Sequence, residues 1–222
     1  MRVVIFGATG MVGAGALLEC LDDARVDSVL AVVRRPAGMA HPKLTEIVHS
    51  DFFDFEALHK RFAECDACFF CLGTSSAGLD EAAYSRLTYD LTLAAARPMA
   101  AANPRMTFCY VSGQGTDSTE RGRVMWARVK GRTENALLRL PFRAAFMLRP
   151  GLIQPLRGVR SKTRLYQAFY TALGFLLPLV RRLAPNQVTT SVSVGRALIR
   201  LAAEGYSSRI ITSADINRLA AA

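Results

Sequence analysis

Val3-Val4-Ile5-Phe6-Gly7-Ala8-Thr9-Gly10-Met11-Val12-Gly13 is an apolar run that breaks into three glycines and then into a helical pattern. The run reads as a buried strand ending at Phe6, after which the chain must turn sharply to enter a helix over residues 11–21. Gly7 permits the turn, Gly10 lets a pyrophosphate come up to the backbone, and Gly13 lets the helix lie close on the sheet. The amides that open the helix, together with its dipole, favour a phosphate. Glycines also serve ordinary turns. Placed directly after a first strand and directly before a helix, these predict a dinucleotide site lined by Gly7, Ala8, Thr9, Gly10, Met11, Val12 and Gly13.

Working outward, apolar runs alternate with helical patterns. Strands are expected over residues 28–33, 43–48, 67–72, 106–112 and 144–148, with helices over 55–63, 81–102 and 124–140. Continuous apolar strands separated by helices imply right-handed crossovers and an α/β fold of Rossmann type, a doubly wound parallel sheet with helices on both faces. From Leu152 the pattern changes: a basic loop over 155–162, a helix over 163–183 kinked at Pro178, a helix over 192–203, a late strand over 209–212, and a final turn capped within Ser213-Ala214-Asp215. This smaller, mostly helical region follows the sixth strand and is expected over the carboxyl ends of the strands, where a substrate is selected.

The 222 residues, 51% of them apolar, suit one domain over 1–222, with a cofactor-binding core over 1–151 and a substrate-side region over 152–222. The net charge of +10 raises nucleic acid as a partner, but the basic residues are scattered and form no reading motif, so none is expected. Lysine stands only at Lys43, Lys60, Lys130 and Lys162, and the excess is arginine. No basic, apolar leader precedes Val3, which predicts a cytoplasmic chain. The longest apolar stretch, 169–180, is broken by Gly174 and Pro178 and is shorter than the roughly 20 residues of a spanning helix, so no transmembrane span is expected. A monomer or homodimer is expected. Cys65, Cys68 and Cys71 have metal-like spacing, yet neighbours on a strand face opposite sides and cannot converge on one ion; buried reduced thiols are the reading.

Arg34 and Arg35 follow the second strand about twenty residues beyond the glycine loop, where a carboxylate suits the ribose of NAD and arginine a 2′-phosphate. Two guanidiniums there predict NADP(H) in preference to NAD(H); the alternative is two solvated arginines in an arginine-rich chain. Asp51, past the third strand, either accepts from the adenine amino group, with Phe52 packed nearby, or caps the next helix. Leu72, Gly73 and Thr74, across the crevice from Gly7, are expected along the central ribose and phosphates.

The glycine run, with Gly73-Thr74, Val111-Ser112, Lys130-Gly131 and Arg149-Pro150-Gly151 at their intervals, resembles the atypical short-chain dehydrogenase/reductases, a family of NAD(P)-binding, epimerase-like proteins that includes an NADPH-binding Tat-interacting regulator. The resemblance covers residues 1–155 well and the rest loosely. It implies cofactor contacts from Val111, Ser112 and Lys130, and a catalytic set of a serine after the fifth strand with a tyrosine four residues before a lysine. Ser112 and Lys130 match; the tyrosine position is Trp126. Indole donates only and does not titrate in this range, so Trp126 cannot replace a phenol. Tyr84, Tyr110 and Tyr166 are the alternative phenols, Tyr166 first because it lies in the substrate segment.

Lys130, on one helix face with Trp126, either bonds the nicotinamide ribose or is an exposed helix lysine. Ser112 either polarises a substrate carbonyl or bonds backbone at a strand end. Pro150, Gly151 and Leu152, with Ile153, are expected to wall the nicotinamide. Arg157, Arg160, Lys162 and Arg164 form either a mouth for an anionic small-molecule substrate or a solvated basic loop. The function so implied is NADP(H)-dependent hydride transfer on a small carbonyl or alcohol, with two alternatives: a non-catalytic NADPH-binding regulator, and an epimerase-like enzyme for a nucleotide-linked sugar.

Overall fold

β1 (Arg2–Phe6) lies at the centre of the sheet, and Val3, Val4, Ile5 and Phe6 are all fully buried in the computed structural model, which describes residues 1–36, 38–159 and 187–222. Around it stand β2 (Ser28–Val33), β3 (Leu44–Val48), β4 (Ala67–Phe70), β5 (Thr107–Val111), β6 (Ala144–Arg149) and, after a short β7 (Leu152–Gln154) and β8 (Val188–Thr190), β9 (Ile210–Thr212). The seven-stranded sheet runs β3-β2-β1-β4-β5-β6-β9 and every pair is parallel. The strand order reverses between β1 and β4, so a crevice opens at their carboxyl ends.

The period of two along the strands divides the core. Val3, Ile5, Phe69, Cys109 and Leu148 face α1 (Met11–Asp22), α6 (Ser191–Glu204) and α7 (Ser213–Ala221). Val4, Phe6, Cys68, Phe70, Tyr110 and Met147 face α2 (His59–Ala63), α4 (Leu91–Ala102) and α5 (Met125–Leu138). Cys68 and Cys109 therefore lie on opposite faces; all five cysteines are free, and no metal-holding group of side chains occurs among the described residues.

α1 and α6 cross closely because glycines meet at the crossing. A Cβ on Gly15 would lie 2.7 Å from the Ser191 Cβ, and one on Gly195 would lie 2.8 Å from the Glu19 Cγ.

Three local expectations are corrected. The helix expected over 81–102 is α3 (Glu81–Ser85), a π-type turn (Arg86–Asp90) and α4; the Thr92 hydroxyl donates to the Thr88 carbonyl at 2.6 Å where the turn widens. β7 and β8 pair with each other, Ile153 opposite Thr189, and three-residue strands carry no periodicity to read. The last helix is capped by Thr212, whose hydroxyl and backbone amide both engage Asp215 in a capping box. The helix expected over 163–183 lies outside the described residues.

Candidate functional site

The glycine loop is held by contacts no side chain could tolerate. Gly7 has φ +80°, and a Cβ there would sit 2.7 Å from the Cys71 carbonyl oxygen of the next strand segment. A Cβ on Gly13 would sit 2.1 Å from the Gly7 carbonyl oxygen, so Gly13 lets the helix pack on its own loop rather than on the sheet at large. The Gly10 amide donates to the Gly7 carbonyl at 2.8 Å and the Ala14 amide to the Gly10 carbonyl at 2.7 Å, which closes the turn and starts α1. No side chain caps α1 at Gly10, so the amides of its first turn, opened by Met11 and Val12, face outward with the positive end of the helix dipole. Ala8 turns its methyl into the core; Thr9 and Gly10 are half-buried at the rim.

Register brings the other candidates to the same edge. Phe6 pairs with Val32, so Arg34 and Arg35 emerge from β2 beside the loop; both are exposed, and neither forms an ion pair among the described residues. Asp51 is exposed and its carboxylate accepts from the Phe53 amide at 2.8 Å, while the residue that closes the next turn is Asp54, accepting from Glu56 at 2.9 Å. Phe52 is corrected: it is 7% exposed and packs edge-on against Phe6 and Phe55, a core ring rather than one offered to adenine. The Cys71 amide donates to the Phe6 carbonyl at 3.0 Å, which carries Leu72, Gly73 and Thr74 across the crevice mouth. Gly73 and Thr74 are exposed, and nothing lies within 4 Å of a Cβ built on Gly73.

The far wall is built by β5, α5 and β6. Val111 ends β5, half-buried, and the Ser112 amide donates to the Leu148 carbonyl at 2.8 Å. The Ser112 hydroxyl is buried and turned inward, 2.5 Å from the Glu134 carboxylate and 3.0 Å from the Leu148 carbonyl, so of its two readings the structural one describes the observed bonds. Glu134 is fully buried and forked by Arg149, whose Nε lies 3.1 Å from each carboxylate oxygen. This Ser112–Glu134–Arg149 cluster was not read from the sequence; a glutamate one turn after Lys130 is its only linear trace.

Lys130 is half-buried rather than an exposed helix lysine, and its ammonium donates to the Ser112 carbonyl at the end of β5. Burial pushes it down to about 8, partly offset by the carboxylate of Glu134. Gly131 beside it admits the following loop, since a Cβ there would lie 1.7 Å from the Asp117 carbonyl oxygen. Trp126, half-buried one turn earlier, lays its ring against Gly115, where a Cβ would be 3.2 Å from Cη2.

Pro150, Gly151 and Leu152 close the wall: the Gln114 amide donates to the Pro150 carbonyl, the Gly151 amide to the Ser213 hydroxyl, and the Leu152 amide to the Gln187 carbonyl, at 2.8, 2.8 and 2.9 Å. A Cβ on Gly151 would meet the Gln187 carbonyl at 2.4 Å.

Other candidates are removed from the site. Tyr84 and Tyr110 are 1% and 2% exposed, and burial raises both phenols above their ordinary value. Arg157 is spent on α1, 2.7 Å from both Glu19 and Asp22, and so is not a free cation at a substrate mouth. Tyr166, Arg160, Lys162 and Arg164 lie outside the described residues.

A glycine cradle, an uncapped helix start, open space before Gly73 and two exposed guanidiniums form a set that fits an NAD(P) dinucleotide. The fold and this edge define a nucleotide-binding protein of Rossmann type. A model of the NAD(P)H-binding family matches residues 7–137, and the chain belongs to that family. Protein fmp52-2 of Aspergillus oryzae is 28% identical over 220 residues, covering 97% of this chain and 95% of that protein. Protein fmp52 of Emericella nidulans is 31% identical over 184 residues, covering 78% and 76%. Among solved structures, a dTDP-glucose 4,6-dehydratase from Streptomyces venezuelae with NAD bound superposes with a TM-score of 0.70 at 16% identity, covering 95% of this chain and 74% of that one, a likeness of fold. The two fungal relatives are named mitochondrial proteins, which overturns the expectation of a cytoplasmic chain. Among the described residues no helix is long and apolar enough to cross a membrane.

Proposed function

We propose that the chain binds NADP(H) in preference to NAD(H) and transfers hydride to or from a small carbonyl or alcohol. The observation that carries the cofactor choice is the pair Arg34–Arg35, exposed and without an ion pair among the described residues where β2 ends beside the glycine loop. In this reading the first-turn amides of α1 hold the pyrophosphate, Gly73 and Thr74 flank the central ribose, and Lys130 reaches the nicotinamide ribose from the end of β5. A bound reduced nicotinamide supplies the hydride. Charge-assisted bonds from the two guanidiniums to a 2′-phosphate are worth about 1.5–3 kcal/mol each, or roughly 10- to 150-fold in affinity.

Trp126 is the chain's one tryptophan and lies on α5 against the loop after β5, so its emission is the expected reporter of occupancy without any turnover. Titration is expected to quench Trp126 at lower NADPH than NADH, and Arg34→Glu with Arg35→Glu to abolish the difference. Equal affinities in the unaltered protein defeat the NADP assignment; absence of quenching or thermal stabilisation by either cofactor defeats the site.

A second reading is an NADPH-binding regulator without turnover, favoured by the indole of Trp126 where the family carries its phenol. It predicts the same quenching, with no NADPH oxidation by any aldehyde, ketone or quinone.

A further inference from the structure

The catalytic reading leaves a chemical gap: reduction of a carbonyl needs a proton on oxygen, and the phenol that supplies it in the family is absent at Trp126. Among the described residues, three hydroxyl candidates are already engaged or sealed; Tyr166 lies outside them. Ser112 points its hydroxyl into the Glu134 carboxylate, and Tyr84 and Tyr110 are sealed in the core.

We propose that Lys130 itself is the proton donor, its ammonium held at the carboxyl end of β5 by the Ser112 carbonyl and its remaining N–H groups available to the substrate oxygen. An ammonium has three donors and the carbonyl takes one. The inference rests on the catalytic reading above and names the group that completes it.

The step balances without another reagent. A reduced nicotinamide, when bound, would supply hydride to the carbonyl carbon; the carbonyl oxygen forms an O–H bond as a Lys130 N–H bond breaks, and the electron pair of that N–H bond stays on nitrogen. The neutral amine then regains a proton from water. Three charged groups lie on the elements packed around this amine, and one of them, Glu134, acts on it. Glu134, one turn along α5, favours the ammonium, and Arg149 of β6 is paired to that carboxylate. Asp117, on the loop packed against α5, turns its carboxylate away to Gly122 and Thr119. Burial brings the amine to about 8, close to working pH, where an acid transfers and recovers protons efficiently. The sign follows: the donor is the ammonium, so the reduction rate should be flat below that value and fall as pH rises through it.

The test uses the full chain, NADPH and 4-nitrobenzaldehyde. Lys130→Ala is expected to lower turnover at saturating NADPH by roughly 10²–10⁴-fold, with quenching of Trp126 reached only at higher NADPH because the ribose contact is lost, and added methylamine or ethylamine should restore turnover in proportion to its ammonium form. Lys130→Arg should retain binding but lose the alkaline limb. Independently of activity, reductive ¹³C-methylation of the folded protein, with the signal assigned by its loss in Lys130→Arg, should show this amine titrating near 8.

Turnover in the unaltered protein with no amine rescue in Lys130→Ala, or an amine that titrates like ordinary lysine, overturns the assignment to Lys130 and leaves the catalytic reading standing. Quenching by NADPH with no turnover in the unaltered protein overturns the catalytic reading itself.

Discussion

At the scale of single residues, the site depends on which polar groups are already spoken for. Ser112 sits where the resemblance to the short-chain dehydrogenase/reductases implies a catalytic hydroxyl, yet its proton is committed to a fully buried carboxylate at 2.5 Å. Ser112→Ala is therefore expected to act mainly on stability. A hydrogen bond to a buried charge contributes about 1.5–3 kcal/mol, and the urea midpoint should fall accordingly while Trp126 quenching by NADPH keeps its midpoint. Loss of NADPH affinity without loss of stability would place the hydroxyl in the cofactor site instead. Gly13 is the opposite case, a residue whose value is the absence of a side chain. Gly13→Ala would drive a Cβ to 2.1 Å from the Gly7 carbonyl oxygen, displacing the loop, and should abolish NADPH quenching even if circular dichroism stays native.

Between elements, the glycine loop, the end of β2 and the end of β5 act together only because the parallel register aligns their carboxyl ends. Two elements answer to contacts rather than to propensity. α5 carries Trp126, Lys130 and Glu134, and it approaches the loop after β5 through Gly131, where the Asp117 carbonyl leaves no room for a methyl. α1 is pinned to α6 by Gly15 and Gly195, and the crossing also recruits Arg157 and Arg196 onto the buried Glu19. Gly15→Val should cost about 1–3 kcal/mol through overpacking against Ser191, read as a lower urea midpoint. An unchanged midpoint would show that α6 can move away freely.

For the whole molecule, the sheet carries its cysteines as core atoms. Burial raises every thiol, Cys65 and Cys71 to about 12 and Cys20, Cys68 and Cys109 well above the ordinary value, so the thiolate needed for reaction is scarce in the native state. A disulfide reagent at neutral pH is expected to label all five thiols in denaturant and to do so only slowly in the folded protein. Rapid native labelling would mean that the β4 end opens. The two faces of the sheet also part the closely spaced cysteines: Cys65 and Cys68 pack in one layer and Cys71 against the other.

The amino-acid sequence alone determined the strand–glycine–helix entry, the order of the alternating elements and the edge on which Gly7, Arg34, Gly73 and Gly151 lie. These follow from local sterics: only glycine accepts φ +80° at Gly7, and an apolar run bounded by glycine or proline has few alternatives to a buried strand. Tertiary structure decided which side chains were left free for chemistry. Ser112, Glu134 and Arg149 meet across separations of 22 and 15 residues, Arg157 reaches back 138 residues to Glu19, and Phe52 turns into an aromatic core. Buried charges and hydroxyls take whatever partner the register brings within reach, because leaving one unpaired costs more than most contacts contribute. No linear pattern states that partner, and the glycine loop therefore announces a nucleotide while the chemistry beside it is set by the packing of α5 on β5 and β6.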